Sequence, residues 1–483
     1  MPSKSLVIAT ICIFATACTV GPNYQPPEIT PPQQFLTQEV LQQLGETNDQ
    51  AFPLNWWEGF NDSTLSKLVE SALQDNYELG IAAANYRQAL SKVKEAAAGN
   101  KPRLEAGIDA SADERRELNE DQERTNTVST FGVLGFVIPL DVFGKTTREV
   151  ESANANVQAL EAELQRLSLQ VSSQVVQEYM ALRGNQRQLE LLRESVTLQE
   201  KTLSIVTTRY ETGLSPELDV RRAETSVERL KADIPPLQES LFNSRNRLAV
   251  LAGQYPGVYE ALLTPLQPAT SYNAEIPQVL PLDVLRARPD IQRAEARMRE
   301  AVAQVGVEEA DLYPSFQLGG QIQLGTNMVS SQPPVELLIA SLNAAVTQVI
   351  FDGGERRAQI EIAITQAEAS VLEYRQALLL AVEEVEASLY NLDASRRTQQ
   401  ALQNAVNSST RSFSQAEILY QQGLISFLDV VDSQRVLADA EQDLAAEQTR
   451  YATQIARLFQ TIGSATPPME RQTVELPVEP QDD

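Results

Sequence analysis

The chain has no histidine and only two cysteines in 483 residues. Without an imidazole, Ser-His-Asp triads, Cys-His pairs and His-ligated zinc sites are excluded. Cys12 lies within the apolar N-terminal run, so removal of that run would leave Cys18 as the one thiol, and no intrachain disulfide could form. Neither a Walker-type phosphate loop nor a G-x-G-x-x-G stretch is present. No catalytic, cofactor-binding or metal-ligating residue can be nominated, and the chain reads as a non-enzyme without a cofactor. Basic residues are outnumbered, 39 to 65, giving a net charge of −26, or −27 once Lys4 leaves with the leader. Such a surface repels a phosphate backbone, so nucleic acid is excluded as a partner. Beyond the leader no apolar run reaches about 18 residues, the minimum for a spanning helix. Any membrane span must then be β.

What is present begins with a leader. Lys4 precedes the apolar run Leu6 to Phe14, and Ala15-Thr-Ala-Cys18 follows, which reads as a signal peptide over 1–17 with a lipidation site at Cys18. Ala15 stands where a leucine is usual, so an ordinary signal peptide is the other reading. Thr19, in place of an aspartate, gives no signal for retention at the inner membrane.

The body repeats itself. Tyr210 to Val220 reappears as Tyr420 to Val430, an offset of 210 residues, and the turn Leu140 to Gly144 falls against Ile350 to Gly354 at the same offset. Upstream, Lys101 to Gly107 pairs with Tyr313 to Gly319. A period this long is not a solenoid but two large units in tandem. The expected division is a linker over 18–62, repeat one over 63–270, repeat two over 271–465 and an acidic tail over 466–483.

Each repeat carries one hairpin, expected over 102–140 and 314–352. From Arg103 to Asp113 the even positions are Leu104, Ala106, Ile108, Ala110 and Ala112, whereas the odd ones are polar or glycine. Repeat two does the same, with Phe316, Leu318, Ile322 and Leu324 opposite Ser315, Gln317, Gln321 and Gln323. A period of two over about ten residues, with a polar reverse face, suits a lipid-out, water-in barrel strand, although a half-buried soluble strand would share it. Thr127 to Leu140 and Leu342 to Phe351 are the expected partner strands. Four strands cannot close a barrel, since transmembrane barrels begin at about eight. The chain must oligomerise.

The rest is helical. The stretch 145–209 has no proline and one glycine, with Leu160, Leu164, Leu167, Val171, Val175, Tyr179 and Leu182 at spacings of three and four. At 1.5 Å per residue it reaches roughly 98 Å. The stretch 355–420 matches it, and shorter helices are expected over 63–98, 216–252 and 427–462. Polar faces such as Gln165, Ser168, Ser172, Ser173 and Gln186 would line a wet lumen in a closed helical barrel and are otherwise ordinary solvated surface. Where the long helices end, Gly213 and Gly423 can take the left-handed conformation, Ser215 and Ser426 can cap the next helix, Pro216 suits its first position, and Asp429 stands as a capping-box acid. Ile234-Pro-Pro236 marks a break in the fourth helix.

These residues resemble the TolC-like outer-membrane factors of tripartite efflux systems, in particular the lipoprotein branch of OprM and NodT type. The resemblance rests on Cys18 to Tyr24, on Trp56-Trp57 with Phe60, Asp62 and Leu65, on Arg288-Pro-Asp-Ile291 with Ala294-Glu295, on Tyr313-Pro314, and on Ile350 to Gly354, all in order along 18–465. It implies a mainly α fold with a small β part: a homotrimer with four strands per chain in a 12-stranded transmembrane β-barrel, and long hairpins forming a periplasmic α-barrel. It also implies a passive conduit in the outer membrane, working with a periplasmic adaptor and an inner-membrane pump, the lipidated branch leaning toward the resistance-nodulation-division type. The hairpin tips would dock the adaptor, which puts Gly213, Leu214, Ser215, Gly423, Leu424 and Ser426 at the contact. A constriction just after the second tip matches Leu428, Asp429 and Asp432, spaced to share one helix face. Read without the family, two aspartates in a first helical turn are equally well capping and dipole complementation. Arg222 stands where repeat one would carry the second acid. Trp56 and Trp57 are expected to be packing residues rather than a ligand site. Rival functions are a type I protein-secretion channel and a periplasmic coiled-coil scaffold with no channel, the latter having no use for the alternating strands.

Overall fold

The computed structural model describes residues 19–27, 32, 34–37, 55–116, 124–267, 272, 281–330 and 332–463. The leader, Cys18, most of the linker and the acidic tail, all named above, lie outside these residues. In chain order the elements are α1 (Ser63–Asp75), α2 (Tyr77–Ala98), β1 (Arg103–Arg116), β2 (Arg124–Leu140), α3 (Lys145–Glu211), α4 (Glu217–Ala232), α5 (Ile234–Leu251), α6 (Glu260–Leu263), α7 (Pro281–Ala287), α8 (Pro289–Ala310), β3 (Ser315–Val329), β4 (Val335–Thr347), α9 (Glu355–Gln421) and α10 (Phe427–Ile462). Contacts divide the chain into two units, one of residues 1–28, 85–161 and 293–375, the other of 29–84, 162–292 and 376–483.

The first unit holds a single antiparallel sheet in the order β1-β2-β3-β4. The hairpins of the two repeats are therefore joined side by side through β2 and β3. The register sets Ile108 opposite Gly132, Gly132 opposite Leu324 and Leu324 opposite Leu338, and likewise Ala106, Leu134, Ile322 and Ala340 in a row. Because side chains alternate with period two, this aligns one apolar face across all four strands. Phe131, Val133 and Val137 sit on the other face, which is why β2 alternates less cleanly. Phe131 lies over Gly325, where an added Cβ would come within 2.8 Å of its Cδ1, so the ring covers the missing side chain. The outer edges of β1 and β4 meet no strand among the described residues.

Two expectations need correction. The last strand begins at Val335, directly after Pro334, and ends at Thr347, whereas 342–351 was expected. Pairing with the 15-residue β3 decides its extent, and Ile350 and Phe351 lie beyond it, exposed. The helix expected over 63–98 is broken at Asn76. Its side-chain amide donates to Leu251 O (2.9 Å), and its Oδ1 accepts from the N–H groups of Glu78 and Leu79, which starts α2 afresh.

In the first unit, residues just after Cys18 are fastened to the start of α3. Arg148 is buried and donates to Val20 O, Gly21 O and Asn23 Oδ1 at 3.1, 3.1 and 2.9 Å. Gly21 takes φ +87°, and a Cβ there would meet Gly306 Cα at 2.5 Å, so only glycine fits.

The second unit contains the principal core. Trp56 stacks on Phe459 with centroids 5.1 Å apart, amid Trp57, Phe60, Leu65 and Leu389, so both tryptophans are packed in the core. Arg288, also buried, donates to Asp290 and Glu384 (2.7 Å each) and to Thr461 O (2.7 Å), tying the start of α8 to α9 and to the end of α10. That contact accounts physically for the Arg-Pro-Asp motif. α4 ends at Ala232 and α5 starts at Ile234, as Pro235 and Pro236 require.

Candidate constriction and docking tips

α3 and α9 each have 67 residues, about 100 Å at 1.5 Å per residue. Both end in the same way. Gly213 (φ +75°) donates to Tyr210 O and Leu214 to Arg209 O; Gly423 (φ +76°) donates to Tyr420 O and Leu424 to Leu419 O. This pair of bonds satisfies the last carbonyls of a helix and needs a left-handed residue after it. Nothing lies within 4 Å of a Cβ built on either glycine, so the conformation alone demands glycine there. Leu214 and Leu424, next in sequence, are 70% and 66% exposed, which leaves two apolar side chains projecting into solvent.

Beneath them a small core joins the repeats: Val206, Val220, Ala223, Tyr420, Phe427 and Val430 are buried together. The Arg209 guanidinium lies 4.8 Å from the Tyr420 ring centroid, and burial pushes the Tyr420 hydroxyl up from its ordinary value. With Phe427 and Val430 turned inward, the helical period turns Leu428, Asp429 and Asp432 outward, and all three are exposed.

The following helices start at repeat-equivalent positions, after Pro216 and after Ser426. Ser215 was expected as the first cap. It lies one residue before the cap, and its hydroxyl donates instead to Asp219 Oδ2 (3.1 Å). In repeat two, Asp429 Oδ2 accepts from the Ser426 N–H (2.9 Å) and hydroxyl (2.7 Å). The Ser426 hydroxyl, followed by its backbone N–H, holds the Asp429 carboxyl below the usual range. Asp432 pairs with Arg435 at 2.8 Å across one helical turn. Arg435 is the residue that the sequence reading passed over, although an Asp and an Arg three apart signal that pairing. The structure thus brings Leu428, Asp429 and Asp432 onto one face within one chain, gives Asp429 a capping bond, and sets a cation beside Asp432. No group of three or more Asp, Glu or Cys suited to hold a metal occurs among the described residues.

A family model described as outer membrane efflux protein matches residues 68–254 and 280–464, one segment in each repeat. The chain belongs to the outer membrane efflux protein family. It is 30% identical over 462 residues to nodulation protein T of Rhizobium leguminosarum bv. trifolii, covering 95% of this chain and 97% of the relative. It is 27% identical over 446 residues to the cation efflux system protein CusC of Escherichia coli O6:H1, covering 92% and 95%. Among solved structures, the outer-membrane channel OprN superposes with a TM-score of 0.85 at 28% identity, over 93% of this chain and 99% of that one. The family's two-repeat, mainly helical fold with a small antiparallel sheet is the one described above. This family member is an outer-membrane channel component of a tripartite efflux system, with a large periplasmic portion. The non-channel scaffold is thereby set aside.

Proposed function

We propose that three copies of the chain close one passive conduit for small molecules, anchored by an acyl group on Cys18, docked by a periplasmic adaptor at the hairpin tips and fed by an inner-membrane pump of the resistance-nodulation-division type. The observation that carries this reading is the sheet: four strands, one continuous apolar face, a largely polar reverse face and two edges that meet no strand among the described residues. An edge strand that long is a pairing surface, and three such sheets supply twelve strands, enough for a transmembrane barrel. The exposed Leu214 and Leu424, each held out by a left-handed glycine, suit an apolar contact with the adaptor, with Ser215 and Ser426 fixing the turns behind them. The names of the relatives speak of nodulation and of cation efflux and do not agree on a cargo, which fits a conduit whose selectivity lies in the pump.

Convergence of three chains would bring Leu428, Asp429 and Asp432 around one opening. The apolar ring would narrow it and the six carboxylates would favour cations. Arg435 tempers this field by neutralising one acid of each pair. The experiment is native mass spectrometry of the detergent-purified protein alongside planar-bilayer recording. The expected species is a trimer of roughly 160 kDa, three times the 53.3 kDa chain before leader removal, and it carries the conductance. A conducting monomer refutes the proposal.

A further inference from the structure

The two hairpins share one register. Advancing β1 by 212 residues and β2 by 210, the offsets of the sequence repeat, carries Arg103 opposite Val137 onto Ser315 opposite Thr347, and Ala110 opposite Thr130 onto Ile322 opposite Ala340. Both of the resulting pairs are present in repeat two, so the offsets hold in the sheet as they do in the sequence.

Repeat one makes a contact that repeat two lacks. β2 runs on past Val137, the last partner of β1, because Ile138, Pro139 and Leu140 pair with Leu318, Gln317 and Phe316 of β3. The repeat-equivalents of those three residues are Gln348, Val349 and Ile350, which follow the end of β4 at Thr347 and belong to no strand. Leu140, opposite Phe316, is 49% exposed, whereas Ile350 is 90% exposed. What β3 supplies to β2, no described residue supplies to β4. The repeat-equivalent of β3 is β1, whose outer edge also meets no strand among the described residues. Two strands separate β1 from β4 in the sheet, and four strands are too few to curl round and join, since transmembrane barrels begin at about eight. The strand that completes β4 must therefore come from a second copy of the chain.

We propose that β4 of one copy pairs with β1 of the next in the register of the seam between β2 and β3, which sets Ile350 opposite Leu104, Val346 opposite Ile108 and Asn343 opposite Ser111 of the second copy. This rests on the reading that copies close one barrel and specifies how their edges meet. The side chains suit the register. Ile350, Val346, Leu104 and Ile108, all well exposed in the single chain, fall together on the apolar face, and Asn343 meets Ser111 on the polar one. A slip of one residue would set the apolar face of one sheet against the polar face of the next. A slip of two would keep the faces but put Ile350 opposite Pro102 or Ala106, with Pro102 unable to donate to the ladder. In the assembly β4 lengthens to Ile350 and so ends where β2 does, by repeat equivalence.

The test uses the full-length chain in lipid vesicles, with both native cysteines replaced by serine and two pairs of substitutions made separately: Leu104→Cys with Ile350→Cys, and Ser111→Cys with Asn343→Cys. Close and wide pairs alternate along an antiparallel ladder, and these two lie seven residues apart, so one of them is of the close kind. For that pair, oxidation should yield covalent trimers about tenfold faster than when the β1 cysteine is moved two residues either way, since diagonal Cβ atoms about 7 to 8 Å apart are too far for a disulfide. In the chain without added cysteines, residues 348–350 should exchange their amide hydrogens slowly in the trimer, as paired strand does. Trimers by native mass spectrometry that cross-link fastest in a shifted register, or whose residues 348–350 exchange as freely as a loop, overturn the proposed register and leave the conduit reading standing. A chain that remains monomeric overturns both.

Discussion

Placing an arginine on the apolar face of the sheet gives the sharpest quantitative prediction. Ile322 is the middle residue of the 15-residue β3, flanked by Leu134 and Ala340, and it is half exposed in the single chain. If that face meets hydrocarbon, Ile322 lies near the bilayer midplane, where an arginine on the lipid side of a barrel costs about 2 to 4 kcal/mol. At the upper end this lowers the folding equilibrium by close to three orders of magnitude. Strands tilted by about 40° and rising 3.3 Å per residue climb roughly 2.5 Å per residue along the normal. Leu324 is then about 5 Å and Leu318 about 10 Å from the midplane, so Leu324→Arg should cost roughly 3 kcal/mol and Leu318→Arg roughly 1 to 2. Gln321 lies on the opposite face between Gly135 and Ser341. Gln321→Arg should cost under about 0.5 kcal/mol, as a substitution facing water does. The assay is denaturant-induced unfolding from lipid vesicles, followed by tryptophan fluorescence and by the heat-modifiable band on gels. A flat response across the three apolar positions, or a Gln321→Arg penalty equal to that of Ile322→Arg, would show that the face does not meet lipid.

Further outcomes are expected in the helical unit and at the tip. Arg288→Met should destabilise by about 3 kcal/mol, since it strips Asp290 and Glu384 of their shared cation while Glu384 keeps access to water; thermal unfolding checks this. Gly423→Ala forces an alanine to φ +76° and should cost about 1 to 2 kcal/mol, measurable as faster local hydrogen exchange at the end of α9. The Asp429 carboxyl is held low by Ser426, so the capping bonds at the start of α10 persist above the ordinary carboxylate range and are lost as pH falls through that lowered value; Ser426→Ala should shift the loss to higher pH by NMR titration of the tip. In bilayers, Asp429→Ala with Asp432→Ala should weaken cation preference, Leu428→Ala should increase basal leak, and Asp219→Ala should change little. Arg435→Gln, by freeing Asp432, should strengthen cation preference.

Much of this was legible in the sequence because the signals are local. Long stretches without proline, with Gly184 the one glycine in them, gave α3 and α9 to within two residues, and the left-handed glycines at 213 and 423 announce their ends. Strict alternation gave β1 and β3. What escaped is decided at a distance. The break at Asn76 depends on an amide reaching the Leu251 carbonyl, 175 residues away. The start of β4 runs into four consecutive apolar residues, Leu337 to Ala340, which blur its side alternation, and only its ladder with β3 fixes the end. The buried Arg183 looks in sequence like any charge on a solvated helix face, because its burial comes from the close approach of α10 to α3, where a Cβ built on Gly184 would lie 2.0 Å from Thr449 Oγ1. The tip acids stand out in the sequence, whereas their local bonds to Ser426 and Arg435, which temper their charge, come from the geometry of the helix start.

The central claim is that three sheets close through their free edges, and inter-chain cross-linking of β1 to β4 tests it most directly. Cys12 and Cys18 are the two thiols of the sequence, so with both replaced by serine single cysteines can be set along β1, at Asp109, Ser111 and Asp113 in turn, each combined with a series along β4 at Leu337, Ile339, Ser341 and Asn343. Mild oxidation of vesicle-inserted protein should give covalent trimers for one register and its immediate neighbours only, with Cβ atoms about 4.5 to 5.5 Å apart across an antiparallel pair. If every combination yields monomers alone, or dimers that never advance to trimers, the sheet does not close in this way and the conduit reading fails.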